Sequence, residues 1–149
     1  MRAFVWVLAL LGLALGQGVV KGLGERDLEA LLRQAGIPFA RTDQGEYRLE
    51  MAGLKKVWLY LDYCQEEVCG VLSLSAGFTL DEPPSWEVVN AWNREHRFSR
   101  AYLGEEGDVW LEADLDLTGG VSLGAVLAFL ELFAEESLPD FMDHIGFSP

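Results

Sequence analysis

Basic residues are scarce in this sequence, which has 11 Lys plus Arg against 24 Asp plus Glu and a formal net charge of −13. A surface this acidic repels phosphate backbones, so we expect no binding to DNA or RNA. Half of the residues are hydrophobic, which excludes a disordered chain. A length of 149 residues suits one domain that buries its own core.

Metal ligands with suitable spacing are also missing. His96 and His144 stand alone in the sequence, and a zinc site would need more ligands than the two cysteines alone provide. The segment 114–119 matches the first six positions of a calcium loop, but Ala125 stands where a bidentate Glu is required. The sequence therefore predicts no metal site and no cofactor.

Catalytic motifs are absent as well. No serine lies in a G-x-S-x-G elbow, and the sequence contains neither G-x-G-x-x-G nor G-x-x-x-x-G-K. Paired carboxylates are frequent simply because the chain is acidic, so they do not indicate acid–base catalysis. We therefore expect a protein that is not an enzyme.

The first sixteen residues have the layout of a secretory signal. Arg2 is followed by fourteen uncharged, mostly apolar residues, and Ala14 and Gly16 take the −3 and −1 positions for cleavage before Gln17. The remaining domain, 17–149, would carry 10 basic and 24 acidic residues, a net charge of −14. We expect a periplasmic or secreted protein with no stable membrane span after cleavage. The alternative is an uncleaved N-terminal anchor.

Cys64 and Cys69 are the only cysteines, and both flanking segments have strand composition. A four-residue loop between two antiparallel strands would place the cysteines opposite each other, at a distance that permits a bridge. In an oxidising compartment this predicts a structural disulfide at the end of a hairpin. A redox-active pair is the alternative, but the spacing is C-x₄-C rather than C-x-x-C.

The pattern of apolar residues predicts an α+β fold with an antiparallel sheet and flanking helices, because the helices do not alternate with single strands. Ser85 and Ser122 are placed to cap the second and third helices, and Pro139 is expected to precede a last short helix ending at Ile145. The predicted order is helix 25–35, strands 39–42, 46–51, 56–63 and 71–76, helix 86–96, strands 98–103 and 109–117, and the C-terminal helices.

One segment, residues 88–103, concentrates unusual side chains. It holds both asparagines of the chain, in a helix that gains nothing from Asn propensity, and three of the few arginines. These side chains either satisfy backbone and carboxylate groups where the helix meets the next strand, or form a small basic recess for an anionic ligand or a peptide carboxylate. The candidate binding residues are Asn90, Trp92, Asn93, Arg94, Arg97 and Arg100.

The same segment and its continuation resemble the YbjN-domain family, described as bacterial sensory transduction regulators. The shared patterns are V-N-x-W-N-x-x-x-R-F-x-R-A-Y, then E-x-G-D, then L-E-x-D-L-x-L-x-G-G-V, and the resemblance extends over about residues 25–146. A subset of the family also carries a leader and a short hairpin bracketed by cysteines. The motif positions are Asn90, Trp92, Asn93, Arg97, Phe98, Arg100, Tyr102, Asp108, Glu112, Asp114, Gly119 and Gly120.

This resemblance implies a fold like that of the type III secretion chaperones, in the order α-β-β-β-α-β-β-α. Such chaperones are typically dimers that bind extended segments of partner proteins, and the family offers no catalytic residues to transfer. Secretion chaperones work in the cytoplasm, however, whereas this chain has the layout of an exported protein. We therefore expect a non-enzymatic, chaperone-like module that binds a protein or peptide and that can form a homodimer. The alternative is a sensor of a small anionic ligand, or an unrecognised enzyme, that uses the Asn90–Arg100 region.

Overall fold

The computed structural model describes residues 18–149, so the expected signal segment and its cleavage point lie outside the described residues. Within residues 18–149, no helix is long and apolar enough to cross a membrane. The strands are β1 (Val19–Val20), β2 (Phe39–Arg41), β3 (Tyr47–Met51), β4 (Leu54–Gln65), β5 (Val68–Phe78), β6 (Arg100–Leu103), β7 (Val109–Asp116) and β8 (Val121–Ser122). The helices are α1 (Glu25–Gln34), α2 (Trp86–Glu95), α3 (Leu123–Leu132) and α4 (Leu138–Ile145).

Six strands form one antiparallel sheet in the order β2-β3-β4-β5-β7-β6, and β1 pairs separately with β8. Helix α2 connects β5 to β6. Strand β6 pairs only with β7 and is therefore an edge strand of the six-stranded sheet. The α+β class, the antiparallel sheet and the flanking helices are confirmed. Four strands, rather than the three implied by the chaperone-like order, lie between the first two long helices, as the apolar pattern predicted.

The two faces of the sheet differ in burial because side chains alternate along a strand. Leu49, Leu59, Leu74 and Leu111 point to the same face and are fully buried in the core with the helices. The opposite side chains, which include Trp58, Tyr60, Ser73, Trp110 and Glu112, are only half-buried. We call this second face the open face, since no helix within residues 18–149 covers it.

Local signals set the ends of the helices. Ser85 Oγ accepts a hydrogen bond from the Val88 N–H, and Ser122 Oγ accepts one from the Ala125 N–H, as the sequence predicted. The last short helix ends at Ile145, as predicted, but it begins at Leu138, so Pro139 lies within it and does not precede it. A π-helical segment, Phe133–Ser137, joins α3 to α4, and Pro139 lies in the first turn of α4. The helical backbone is therefore continuous through Pro139.

The disulfide between Cys64 and Cys69 is confirmed, and the two residues are paired across β4 and β5. The hairpin is tighter than predicted, because Gln65 and Val68 also pair and leave a two-residue turn instead of a four-residue loop. Cys69 also exchanges two backbone hydrogen bonds with Leu23, N to O in both directions at 2.9 Å. The bridge therefore fixes the hairpin end and the segment that leads into α1.

Candidate functional site

Asn93 joins helix α2 to strand β6. Its Nδ2 donates a hydrogen bond to the Ala101 carbonyl oxygen at 2.9 Å, and its Oδ1 accepts one from the Ala101 N–H at 2.8 Å. These are the two backbone groups that a further strand would use at the free edge of β6. Both the donor and the acceptor of the Asn93 amide therefore have a backbone partner. This agrees with the interpretation that the side chains of residues 88–103 satisfy backbone and carboxylate groups where the helix meets the next strand.

Trp92 lies in the core with only 1% of its surface exposed. Its Nε1 donates to Ser99 Oγ at 3.2 Å, and its ring stacks on His96 and meets Phe141 edge-on. A buried indole needs such a partner for its N–H. The tryptophan thus anchors α2 against the C-terminal helix.

The two histidines, isolated in the sequence, come together beside Trp92. The ring centroids of His96 and His144 are 6.0 Å apart, and His144 Nε2 lies 2.7 Å from the Val88 carbonyl oxygen. His96 Nδ1 is buried and has no hydrogen-bond partner among the described residues. Within residues 18–149, no group of three His, Cys, Asp or Glu side chains is arranged to hold a metal ion.

Arg100 and Tyr102 share one carboxylate on the open face. Arg100 donates from Nε and Nη2 to Glu112 Oε2, at 3.1 and 2.6 Å, and the Tyr102 hydroxyl donates to Glu112 Oε1 at 2.7 Å. Hydrogen bonding to the Glu112 carboxylate raises the pKa of Arg100. Burial, followed by its bond to Glu112, raises the pKa of Tyr102 to about 12. The charge of Arg100 is therefore already paired within the chain.

Arg94 is paired too, with Glu95 Oε1 at 2.7 Å, and both side chains are exposed. The bond to Arg94 lowers the pKa of Glu95. Asn90 and Arg97 are exposed, and within residues 18–149 neither side chain has a hydrogen-bond or ion-pair partner. Of the six candidate residues, the structure thus leaves the polar groups of Asn90 and Arg97 available.

Phe98 is not among the candidate binding residues that the sequence predicted, but its exposure and backbone conformation are unusual. Its side chain is 75% exposed, and its backbone has φ = 65°, which bulky residues rarely adopt. The chain is held on the C-terminal side of Phe98, by the Trp92–Ser99 bond and by the Asn93–Ala101 pair. The sequence signal was its place in the R-F-x-R motif, but nothing in the sequence indicates the backbone conformation.

Two cavities lie against strand β4, and acidic side chains line both. The larger, of about 760 Å³, lies between the start of α1, the turn at 44–46 and the cysteine hairpin. The other, of about 590 Å³, lies on the open face over β4, β5 and β7. Neither includes Asn90, Asn93 or Arg97 among its lining residues. Neither of these two cavities is therefore the basic recess for an anion that the sequence suggested around Asn90, Asn93 and Arg97.

Comparison with known families supports the resemblance in the sequence. The YbjN family model, whose description reads "Putative bacterial sensory transduction regulator", matches residues 26–146. A search of curated proteins gave no match. The matched range covers both the Asn93–Ala101 junction and the Arg100–Glu112–Tyr102 contacts. The chain therefore belongs to the YbjN family.

Proposed function

We propose that this YbjN-family protein is an exported, non-catalytic regulator that acts by binding a partner protein, with Arg97 and Phe98 as its docking residues. The observation that carries the proposal is the exposure of Phe98 at positive φ. A left-handed backbone costs about 1–2 kcal/mol for an L-residue, and leaving a phenyl ring in water gains nothing. The strained backbone and the exposed ring are both explained if a partner protein covers the Phe98 ring.

The neighbours of Phe98 support this role. Arg97 is exposed and unpaired within the described residues, and aromatic residues and arginine are the side chains that most often dominate binding energy at protein interfaces. Ser99 and Ala101, which follow Phe98 in the chain, are fixed by hydrogen bonds to Trp92 and Asn93. A docking element held in one conformation loses little conformational entropy on binding.

Export is part of this proposal and rests on residues 1–16 and on the cysteine pair. An apolar segment after Arg2, with small residues at the expected cleavage point, is typical of secreted proteins, and disulfides persist in oxidising compartments. Intact mass measurement of the protein from the periplasm or medium should give a chain that begins at Gln17. A full-length chain found only in membranes would favour the anchored alternative.

Capture from an envelope extract tests the docking role through a matched pair of variants. Phe98→Gly removes the ring and relieves the backbone, so the protein stays folded. Trp86→Ala removes another exposed aromatic ring, 67% exposed, at the opposite end of α2. We expect the proteins that wild type and Trp86→Ala retain to be absent with Phe98→Gly. Equal capture by all three, or no reproducible capture by wild type, would overturn the proposal.

A small anionic ligand is the second candidate, and the unpaired guanidinium of Arg97 favours it. A ligand at 100 times its Kd should stabilise the protein by about 2.7 kcal/mol. A thermal-shift screen of carboxylates and phosphates, repeated with Arg97→Ala, separates the two candidates. A shift that needs Arg97 supports a sensor, or an enzyme of unrecognised type, whereas no shift with any of the tested anions counts against this second candidate. Sedimentation of the purified protein tests the homodimer that the chaperone resemblance implies.

A further inference from the structure

The smaller cavity forms a groove on the open face, away from the buried core. Its floor is β5, where Val71, Ser73 and Ser75 carry small side chains. A partner backbone can approach such a floor closely. Asp114 and Asp116 rise from β7 on one side, and Tyr60, Asp62 and Tyr63 line the groove from β4.

The charge of the groove is negative even after its internal pairing is counted. Four carboxylates and one guanidinium line it, which leaves a net charge of −3. The guanidinium of Arg100 is bound to Glu112, and its distance to Asp114 is 3.9 Å. Asp62 and Asp116 form no ion pair within residues 18–149, although one oxygen of Asp116, Oδ1, accepts a hydrogen bond from the Thr118 N–H at 2.8 Å. A cationic ligand would therefore find carboxylates that are free to pair with it.

Aromatic rings stand beside these carboxylates. Tyr63 is 85% exposed and, like Phe98, has a positive φ, of 54°. Tyr60 is half-buried, and its pKa is raised by burial and by Glu46, Glu112 and Asp62. Aromatic faces and carboxylates together recognise lysine and arginine, through cation–π contacts and charge-assisted hydrogen bonds.

The spacing of the carboxylates indicates the form of the ligand. Asp114 and Asp116 are alternate residues on one strand, so their side chains point the same way about 7 Å apart. Alternate residues of an extended segment have this same spacing. A second copy of the chain that docked through its own open face would bring like charge to the groove.

We infer that the open-face groove binds an extended segment of the partner protein with basic residues at alternating positions. This inference rests on the proposed function, since the segment belongs to the partner. The excess of negative charge over the whole chain would add long-range attraction for such a segment, which weakens as salt is added.

A labelled peptide of alternating Lys and Thr tests the inference by fluorescence anisotropy. The groove variant is Asp62→Asn, Asp114→Asn and Asp116→Asn combined. The control is Glu105→Gln, Glu106→Gln and Glu135→Gln combined, which removes the same charge from residues outside the groove. We expect the groove variant to bind about tenfold more weakly, because three exposed ion pairs are lost, and the control to bind almost as wild type.

Two further comparisons check the ligand and the fold. A Glu–Thr peptide should not bind, and Tyr63→Ala should weaken binding of the Lys–Thr peptide without removing any charge. Equal weakening by both charge variants, or no binding of the Lys–Thr peptide by wild type, would overturn the inference. If Phe98-dependent capture persists in that case, the proposed function stands without it; if capture also fails, both fall.

Discussion

The side-chain amide of Asn93 forms one hydrogen bond with each backbone polar group of Ala101. Strand β6 is at the edge of the sheet, so these groups would otherwise be available to a strand of another molecule. An asparagine can satisfy both because its amide carries a donor and an acceptor side by side. Helix α2 thereby blocks part of a sheet edge with one side chain.

Replacing Asn93 should destabilise the protein and open this edge. Asn93→Ala removes two part-buried hydrogen bonds, so we expect the free energy of unfolding to fall by about 1–3 kcal/mol in urea titrations. Hydrogen exchange at the Ala101 amide should become faster. Asn93→Asp keeps the acceptor but places a carboxylate against the Ala101 carbonyl, and it should not restore stability. Asn90→Ala, on the same helix but without a hydrogen-bond partner for its side chain within residues 18–149, should change stability by less than about 0.5 kcal/mol. Equal effects at both positions would contradict this role for Asn93.

Replacing Phe98 should reveal the cost of its backbone conformation. Glycine adopts positive φ without strain, whereas alanine does not. We expect Phe98→Gly to be more stable than Phe98→Ala by about 1 kcal/mol, measured by thermal and urea unfolding. The exposed ring contributes little to stability, so Phe98→Gly should be at least as stable as wild type. A less stable glycine variant would mean that the ring packs on the folded chain.

Stability should fall in alkaline solution because Tyr47, Tyr60 and Tyr102 bind their protons more tightly in the folded state. Burial and nearby glutamates raise the pKa of Tyr47 from 10.0 to about 12, and Tyr102 shows a similar increase. The tighter proton binding therefore contributes fully to the free energy of unfolding below pH 10, and this contribution is lost as the pH rises from 10 through about 12. Urea unfolding across this range, with tyrosinate absorbance, measures both effects.

Tyr102→Phe provides the control for the alkaline transition. It removes one of these three phenols while leaving its ring in place, so the loss of stability with pH should become shallower. Tyr47, which is buried and bonded to Glu29 at 3.3 Å, and Tyr60 should account for the rest. An unchanged pH profile in Tyr102→Phe would show that the folded state does not hold the Tyr102 proton more tightly than the unfolded state does.

Removing the disulfide should weaken the hairpin end and leave the fold intact. The cysteines are five positions apart, so closing this loop restricts the unfolded chain only modestly, and we expect Cys64→Ala plus Cys69→Ala to cost about 2 kcal/mol. Reduction of the wild-type protein should give a similar loss. Hydrogen exchange should increase at Leu23 and Cys69, whose backbone groups pair beside the bridge. Complete unfolding of the double variant would contradict this local role.

Local patterns in the sequence predicted much of the fold. The caps at Ser85 and Ser122, the amphipathic face of α1 and the alternation along β7 each depend on residues a few positions apart, and all appear in the structure. The Cys64–Cys69 bridge followed from two strands around a short loop. The continuous helix through Pro139 was missed because a π-helical segment has no clear local signature.

The candidate site was predictable only as a segment. The sequence singled out residues 88–103 by composition and by family motif, but could not assign Asn93 to the Ala101 backbone or Arg100 to Glu112. Both contacts depend on β6 lying next to β7, which is a matter of strand order. The approach of His96 to His144 likewise requires α2 to pack against α4.

The sequence by itself determined the family, the order of the main helices and of the six strands of the large sheet, the bridge and the scarcity of positive charge. These features depend on composition, motifs and short-range periodicity. The tertiary structure decided which of the unusual side chains are already satisfied and which are free. It also placed Tyr63, Asp62 and Asp114 around one groove. Groups far apart in the chain come together there because the sheet pairs β5 with β4 on one side and with β7 on the other.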